Sequence, residues 1–108
     1  MNNIKTVVAE ALEAARIAGK QSYATIGERD CCGFAWVEVF VERTNSKQAK
    51  ELIAAGFEKD YKPKCLSMWN PSGLATQSMT PKEEGAIAMA QVLRDQLGLK
   101  AYAGSRMD

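Results

Sequence analysis

Helical and extended apolar patterns follow one another along this chain of 108 residues in an order that few folds accommodate. Ile4–Ala18 carries apolar side chains at helical spacing with charged side chains on the opposite side, which predicts an amphipathic helix ending near Gly19. Gly33–Glu42 then alternates strictly between two faces, which is typical of a strand. An N-terminal helix therefore precedes the first strand.

The middle of the chain predicts a short helix and a hairpin. Thr44–Ser46 offers helix caps, and Gly56 suits a left-handed helix end from which Phe57 packs back onto the helix, as in a Schellman motif. Phe57–Tyr61 and Cys65–Trp69 flank the sequence K-P-K, so we expect two antiparallel strands with the proline in the turn.

The last third predicts one long helix and a final strand. In T-P-K-E, Thr80 is the expected cap, Pro81 suits the first helical position, and Glu83 closes a capping box. The helix is expected to run to Leu97, and Leu99–Ala103 to form a short strand.

These elements predict a single α+β domain, with an N-terminal helix at residues 1–20 and a βαββαβ core at residues 33–103. That order is typical of a ferredoxin-like sandwich, whose antiparallel sheet has the strand order 4-1-3-2 and both core helices on one face. The alternative is a small α/β layer of three strands without the hairpin.

Composition excludes several function classes. The net charge of +1 and the pI near 7.7 argue against a dedicated duplex-DNA binder. The chain has no histidine, which removes histidine triads, histidine-ligated metals and the usual near-neutral general base. Its three cysteines contain no C-x-x-C pair. We expect no metal, no cofactor, no membrane contact and a cytoplasmic location.

The predicted topology brings polar segments to one rim of the sheet. The start of the first strand would meet the ends of the third and fourth strands, beside the N-terminus of the last helix, whose free N–H groups favour an anion. The loop W-N-P-S-G-L-A-T-Q-S (69–78) would wall this rim. The alternative is that these polar residues only close turns and form surface ion pairs. The predicted ligand-binding residues are Arg29, Asp30, Cys32, Trp69, Asn70, Ser72, Gln77, Ser105, Arg106 and Asp108.

Aromatic side chains predict a second surface on the sheet. Phe34, Trp36 and Phe40 would stand on the side of the first strand away from the core helices, as an apolar patch. We expect either the N-terminal helix or a second subunit, in a homodimer, to cover it. Stacking of single-stranded nucleic acid is the alternative. The missing R-G-F-x-F signature and the presence of Glu38, which would repel phosphate, argue against nucleic acid.

Catalysis is the remaining alternative. Arg29 could lower the pKa of the thiol of Cys31 or Cys32, and a small enzyme could use Cys32 or Asp30. Without a histidine base, we expect a non-enzymatic protein and assign no catalytic residue.

Five short motifs remain, and they are distinctive in combination. They are C-G-F-A-W-V, W-N-P-S-G, T-Q-S, K-E-x-G-A and K-A-Y-A-G-S-R-M-D, at Cys32–Val37, Trp69–Gly73, Thr76–Ser78, Glu84–Ala86 and Lys100–Asp108. Together they resemble a family of small hypothetical proteins of tailed bacteriophages. The resemblance covers roughly Gly27 to Asp108 and implies a phage origin and expression in the bacterial cytoplasm. With the predicted rim, it suggests a phage accessory protein that binds a small anionic ligand or a host protein, in counter-defence or host takeover.

Overall fold

Each predicted helix and strand has a counterpart in the computed structural model, which describes residues 3–29 and 31–107. The predicted site residues Asp30 and Asp108 lie outside the described residues. No helix within the described ranges is long and apolar enough to cross a membrane. The elements are α1 (Ile4–Ile26), β1 (Gly33–Phe40), α2 (Lys47–Ala54), β2 (Glu58–Lys59), β3 (Cys65–Trp69), α3 (Met79–Leu97) and β4 (Lys100–Met107).

The four strands form one antiparallel sheet in the order β2-β3-β1-β4. β1 is central: Trp36 lies opposite Trp69 of β3, and Phe34 lies opposite Arg106 of β4. The predicted hairpin between β2 and β3 is present, although β2 is much shorter than expected. The chain is therefore an α+β protein whose sheet follows the N-terminal helix.

The core lies between the sheet and the helices. Ala35, Val37 and Val39 on β1 are fully buried and share one apolar cluster with Val8 of α1 and Leu93 of α3. The even-numbered residues of β1 point to the other side and are only partly buried. α1 therefore packs on the helical side of the sheet, and the expectation that it covers the aromatic face is wrong.

Local capping explains the ends of α2. The Ser46 side chain accepts a hydrogen bond from the first turn, as a helix cap does. At the other end, the Phe57 N–H donates to the Leu52 carbonyl and the Gly56 N–H donates to the Ile53 carbonyl. These two bonds form the predicted Schellman motif.

α1 does not end at Gly19 as predicted but continues to Ile26. Gly19 is buried against Ser72, so it serves close packing and keeps the helical conformation. The helix ends instead at Gly27, which has a φ of 61° and donates its N–H to the Tyr23 carbonyl.

The predicted cap of α3 is also wrong. Ser78, two residues before Thr80, is the N-cap residue. Its hydroxyl does not cap the helix but donates to the Gly27 carbonyl at 2.5 Å, which ties α3 to the end of α1. Glu83 closes no capping box, because its carboxylate accepts a hydrogen bond from the Ser105 hydroxyl. β4 runs past the predicted end to Met107.

Candidate functional site

The sheet face opposite the helices carries three aromatic side chains in contact. The Trp69 ring lies 4.9 Å from the Trp36 ring, centroid to centroid, and forms a T-shaped pair with the Phe34 ring at a centroid distance of 6.1 Å and an interplanar angle of 71°. Trp69 is 54% exposed. We call Phe34, Trp36 and Trp69 the aromatic platform.

Two cations flank the Phe34 ring of the platform. The Arg106 guanidinium carbon lies 5.8 Å from the ring centroid, and the Lys82 ammonium lies 5.4 Å from it. Lys82 reaches this position from α3, is buried, and donates to the Gly33 carbonyl at 3.1 Å. Positive charge therefore lies against the edge of the platform, where an anion would be attracted.

Glu38 is the carboxylate closest in sequence to the platform on β1. It accepts hydrogen bonds from the Trp36 ring N–H at 2.8 Å and from the Lys62 ammonium at 2.7 Å. Burial by itself would raise the pKa of the Glu38 carboxyl, but the bonds from Lys62 and Trp36 outweigh it, so the pKa is lowered. Its charge is compensated by Lys62, which weakens the repulsion of phosphate expected from the sequence.

Asn70 and Ser72 are used by the loop itself. The Asn70 side-chain amide donates to the Leu74 carbonyl at 2.9 Å and accepts from the Ser72 hydroxyl at 3.0 Å. Ser72 is 2% exposed and sits between Gly19 of α1 and Gly85 of α3. The long loop (69–78) therefore packs between α1 and α3 like a wedge, and the hydrogen bonds of Asn70 and Ser72 stabilise its conformation.

Three other predicted residues lie near the helix ends. Arg29 donates to the Thr25 carbonyl at 3.1 Å and to the Ile26 carbonyl at 3.3 Å, which satisfies carbonyls at the end of α1. The Cys32 thiol lies 3.4 Å from the Gln77 side-chain oxygen, and both residues are exposed. Their contacts join the start of β1 to the loop before α3.

The predicted rim is thus divided between separate surfaces. Trp69 belongs to the aromatic platform and Arg106 flanks it, while Ser105 contacts Glu83 of α3 at 2.5 Å. A small open groove of about 310 Å³ near the loop is lined by none of the predicted residues. Its residues are Tyr23, Glu28, Leu74, Ala75 and Thr76.

Glu28 forms hydrogen bonds with two other residues that line this groove. Its carboxylate accepts hydrogen bonds from the Thr76 hydroxyl at 2.5 Å and from the Tyr23 hydroxyl at 2.7 Å. These bonds, Thr76 first, lower the pKa of Glu28. The arrangement fastens the loop to α1, and sequence reasoning missed it because the partners are 48 residues apart.

A larger open groove of about 580 Å³ lies at the other end of the sheet. It is lined by residues 40–43 at the end of β1, by Ser46 and Gln48 at the start of α2, and by residues 98–100 at the start of β4. None of the predicted site residues lines it.

Lys82 is a further functional candidate that sequence reasoning missed. In the sequence it is only part of the T-P-K-E motif, and no local pattern shows that its side chain crosses to β1. In the part of the chain that the structure describes, no group of three or more histidine, cysteine or acidic residues could hold a metal ion. Comparison of the chain with protein-family models, with curated proteins and with solved structures finds no match in any of the three.

Proposed function

We propose that this chain is a non-catalytic binding protein that takes a planar anionic ligand on the aromatic platform. A nucleotide has this chemistry, because its base can stack on Trp69 and its phosphate can bind Arg106. The observation that carries the proposal is the exposed indole of Trp69, which lies beside a ring flanked by two cations.

Stacking and a phosphate contact contribute comparably to the expected affinity. A base stacked on an aromatic side chain contributes about 1–3 kcal/mol, and a charge-assisted hydrogen bond to phosphate adds about 1.5–3 kcal/mol. A mononucleotide is therefore expected to bind with a dissociation constant of about 1 mM. The net charge of +1 is consistent with weak rather than tight binding of an anion.

The same chemistry is offered by a free nucleotide and by a single strand. Trp36 lies next to Trp69 and is only partly buried, so we expect the next base of a single strand to contact it. We expect a short oligonucleotide to bind about tenfold more tightly than a mononucleotide.

The proposal has two further parts, one resting on the strand order and one on sequence motifs. The sheet order β2-β3-β1-β4, read from the β4 edge, supports classifying the domain as ferredoxin-like. The motifs shared with phage proteins support a phage accessory role in a bacterial cytoplasm, in counter-defence or host takeover.

Intrinsic fluorescence tests the proposal directly, because both tryptophans of the chain, Trp36 and Trp69, belong to the platform. Adenosine monophosphate and an oligothymidylate of about twelve nucleotides would each be titrated at low and high salt. We expect quenching by both, tighter for the oligonucleotide and weaker at high salt. Binding of the mononucleotide alone would assign the site to free nucleotides.

Variants identify the surface. With a fluorescein-labelled oligonucleotide, Trp69→Ala and Arg106→Gln are each expected to weaken binding about tenfold. The thermal midpoint should change little, because both side chains are exposed. Tyr61→Ala is the matched control, since Tyr61 is 90% exposed and lies outside the platform. If neither probe binds, the proposal is refuted and a protein partner is favoured instead. The same holds if Tyr61→Ala weakens oligonucleotide binding as much as Trp69→Ala and Arg106→Gln do.

A further inference from the structure

The two edges of the sheet are protected very differently. At one edge, β2 has only two residues, Glu58 and Lys59, and both are charged. At the other edge, β4 has eight residues, and Ala101–Ser105 within it contains no charge and no proline. Natural proteins rarely leave such an edge open, because it is a template for pairing with another strand.

The hydrogen bonds show which peptide groups of β4 are free to pair. The Ala35 carbonyl accepts a hydrogen bond from the Asn70 N–H of the β3 side, so the N–H and C=O of Ala35 point away from its β4 partner Ser105. In an antiparallel ladder, the backbone groups of two residues paired in this way both point away from the space between their strands. Ser105 therefore directs its N–H and C=O to the outer edge, as do Ala103 and Ala101.

One outward group is already occupied. The Ala101 carbonyl accepts a hydrogen bond from the Arg94 guanidinium at 2.6 Å, which fits the outward direction of this residue. Within the described part of the chain, β4 has a neighbouring strand on the β1 side alone. Ala103 and Ser105 thus form the open section of the edge.

We propose that β4 pairs antiparallel with β4 of a second copy of this chain, around a two-fold axis perpendicular to the sheet. In the proposed register, Ala103 lies opposite Ser105 of the second copy, and each such pair exchanges both of its N–H···O=C bonds. An isologous interface of this kind closes at the dimer.

Charge disfavours a competing register. If Ala103 lay opposite Ala103 of the second copy, Lys100 would lie opposite Arg106, and like charges placed directly across two strands are destabilising. In the proposed register, Arg106 lies opposite Tyr102 of the second copy instead, so that a cation meets an aromatic ring. Tyr102 is exposed in the single chain and gains this partner on pairing.

Exposed apolar side chains on the helical side also gain partners. Ile87 is 49% exposed and lies on α3 one turn after Glu83, which contacts Ser105, and two turns before Arg94, which contacts Ala101. It therefore flanks the open section of the edge. Met107, which is 66% exposed, comes opposite Ala101 of the second copy and approaches this flank.

The interface is small. Strand pairing with these flanking side chains buries on the order of 1,000 Å², near the lower limit for a specific interface, so we expect a dissociation constant of about 1–100 µM. The two sheets become continuous, and both aromatic platforms lie on the same side. The inference stands without the proposed ligand.

Sedimentation equilibrium over a range from about 1 to 200 µM tests the pairing. The wild type is expected to pass from monomer to dimer and to stop there. Ser105→Pro removes an outward N–H without touching the ladder to β1, and should raise the dissociation constant at least about tenfold. Ser105→Ala is the matched control, because it keeps the N–H and should still dimerise.

A second variant tests the register and does not depend on the proline. Arg106→Glu should weaken the proposed dimer, whereas it would strengthen the register in which Lys100 lies opposite position 106. Circular dichroism establishes that each variant is folded. A wild type that stays monomeric, a species that grows beyond the dimer, or a folded Ser105→Pro that dimerises like the wild type would overturn the inference.

Discussion

Gly85→Ala tests whether the long loop is a wedge between α1 and α3. Gly85 lies in the middle of α3 and is buried. A Cβ atom at this position would lie 2.7 Å from the Ser72 Cβ and 3.0 Å from the Ala15 carbonyl oxygen of α1. The first distance is below any ordinary carbon–carbon contact, so the loop or a helix must move.

Two opposing effects set the magnitude. Replacing glycine by alanine inside a helix stabilises the protein by about 1 kcal/mol. Overpacking of a buried site costs about 1–3 kcal/mol, and here the neighbours are a loop stem and a backbone carbonyl rather than the end of a flexible side chain. The difference is a net loss of about 0–2 kcal/mol. We expect a value near 1 kcal/mol, or a fall of roughly 5 °C in the thermal midpoint.

Urea denaturation of four proteins measures this loss: the wild type, Gly85→Ala, Ser72→Gly and the double variant. Ser72→Gly removes the nearest atom, so Gly85→Ala should cost at least about 1 kcal/mol less in that background. Ala9→Gly at an exposed position of α1 calibrates the helix propensity. A Gly85→Ala protein as stable as the wild type, with no coupling to Ser72, would refute the wedge.

Two further predictions concern ionisable side chains. Glu38 has a lowered pKa in the folded chain, so its stabilisation is present above its unfolded pKa and is lost as the pH falls through the folded pKa. The difference in unfolding free energy between the wild type and Glu38→Gln, about 1–3 kcal/mol near pH 7, should therefore shrink between about pH 5 and pH 3. A difference that stays constant over that range would contradict the Lys62–Glu38 contact. Burial, followed by the charge of Asp60, raises the pKa of Cys65 to about 11. Iodoacetamide at about pH 8 should then modify the exposed Cys31 and Cys32 but reach Cys65 only in denaturant, as peptide mass spectrometry would show. Equal labelling of Cys65 in the native protein would contradict its burial.

Local patterns along the chain specified much of the fold. The alternation of Gly33–Glu42 placed alternate side chains of β1 on the two faces of the sheet, because side chains in a strand have a period of two. Gly56 and Phe57 predicted the end of α2, because a Schellman motif depends on the conformation of neighbouring residues. K-P-K correctly marked the turn between β2 and β3.

Contacts between distant segments decided what local patterns could not. The sequence around Gly19 predicts a helix end. The helix α1 nevertheless continues through Gly19, because Ser72, 53 residues further along the chain, packs against this position. Ser78 displaces Thr80 as the N-cap residue in a similar way, since its hydroxyl bonds to Gly27 at the end of α1. A glycine permits either a turn or a close approach, and the packing partner selects between them.

The residues of the candidate site also fall into those that the sequence identifies and those that tertiary contacts position. Residue types in the sequence pointed to Trp69 and Arg106, and strand pairing places both on one face of the sheet. Asn70 and Ser72 follow Trp69 directly, but the loop turns away from that face and uses them between α1 and α3. Lys82 flanks the platform only through a contact with Phe34, which is 48 residues away in the chain. Composition and periodicity determine which side chains are available and which face of an element they occupy. The path of the loop and the packing of the helices, which depend on contacts far apart in the chain, determine which of those side chains meet.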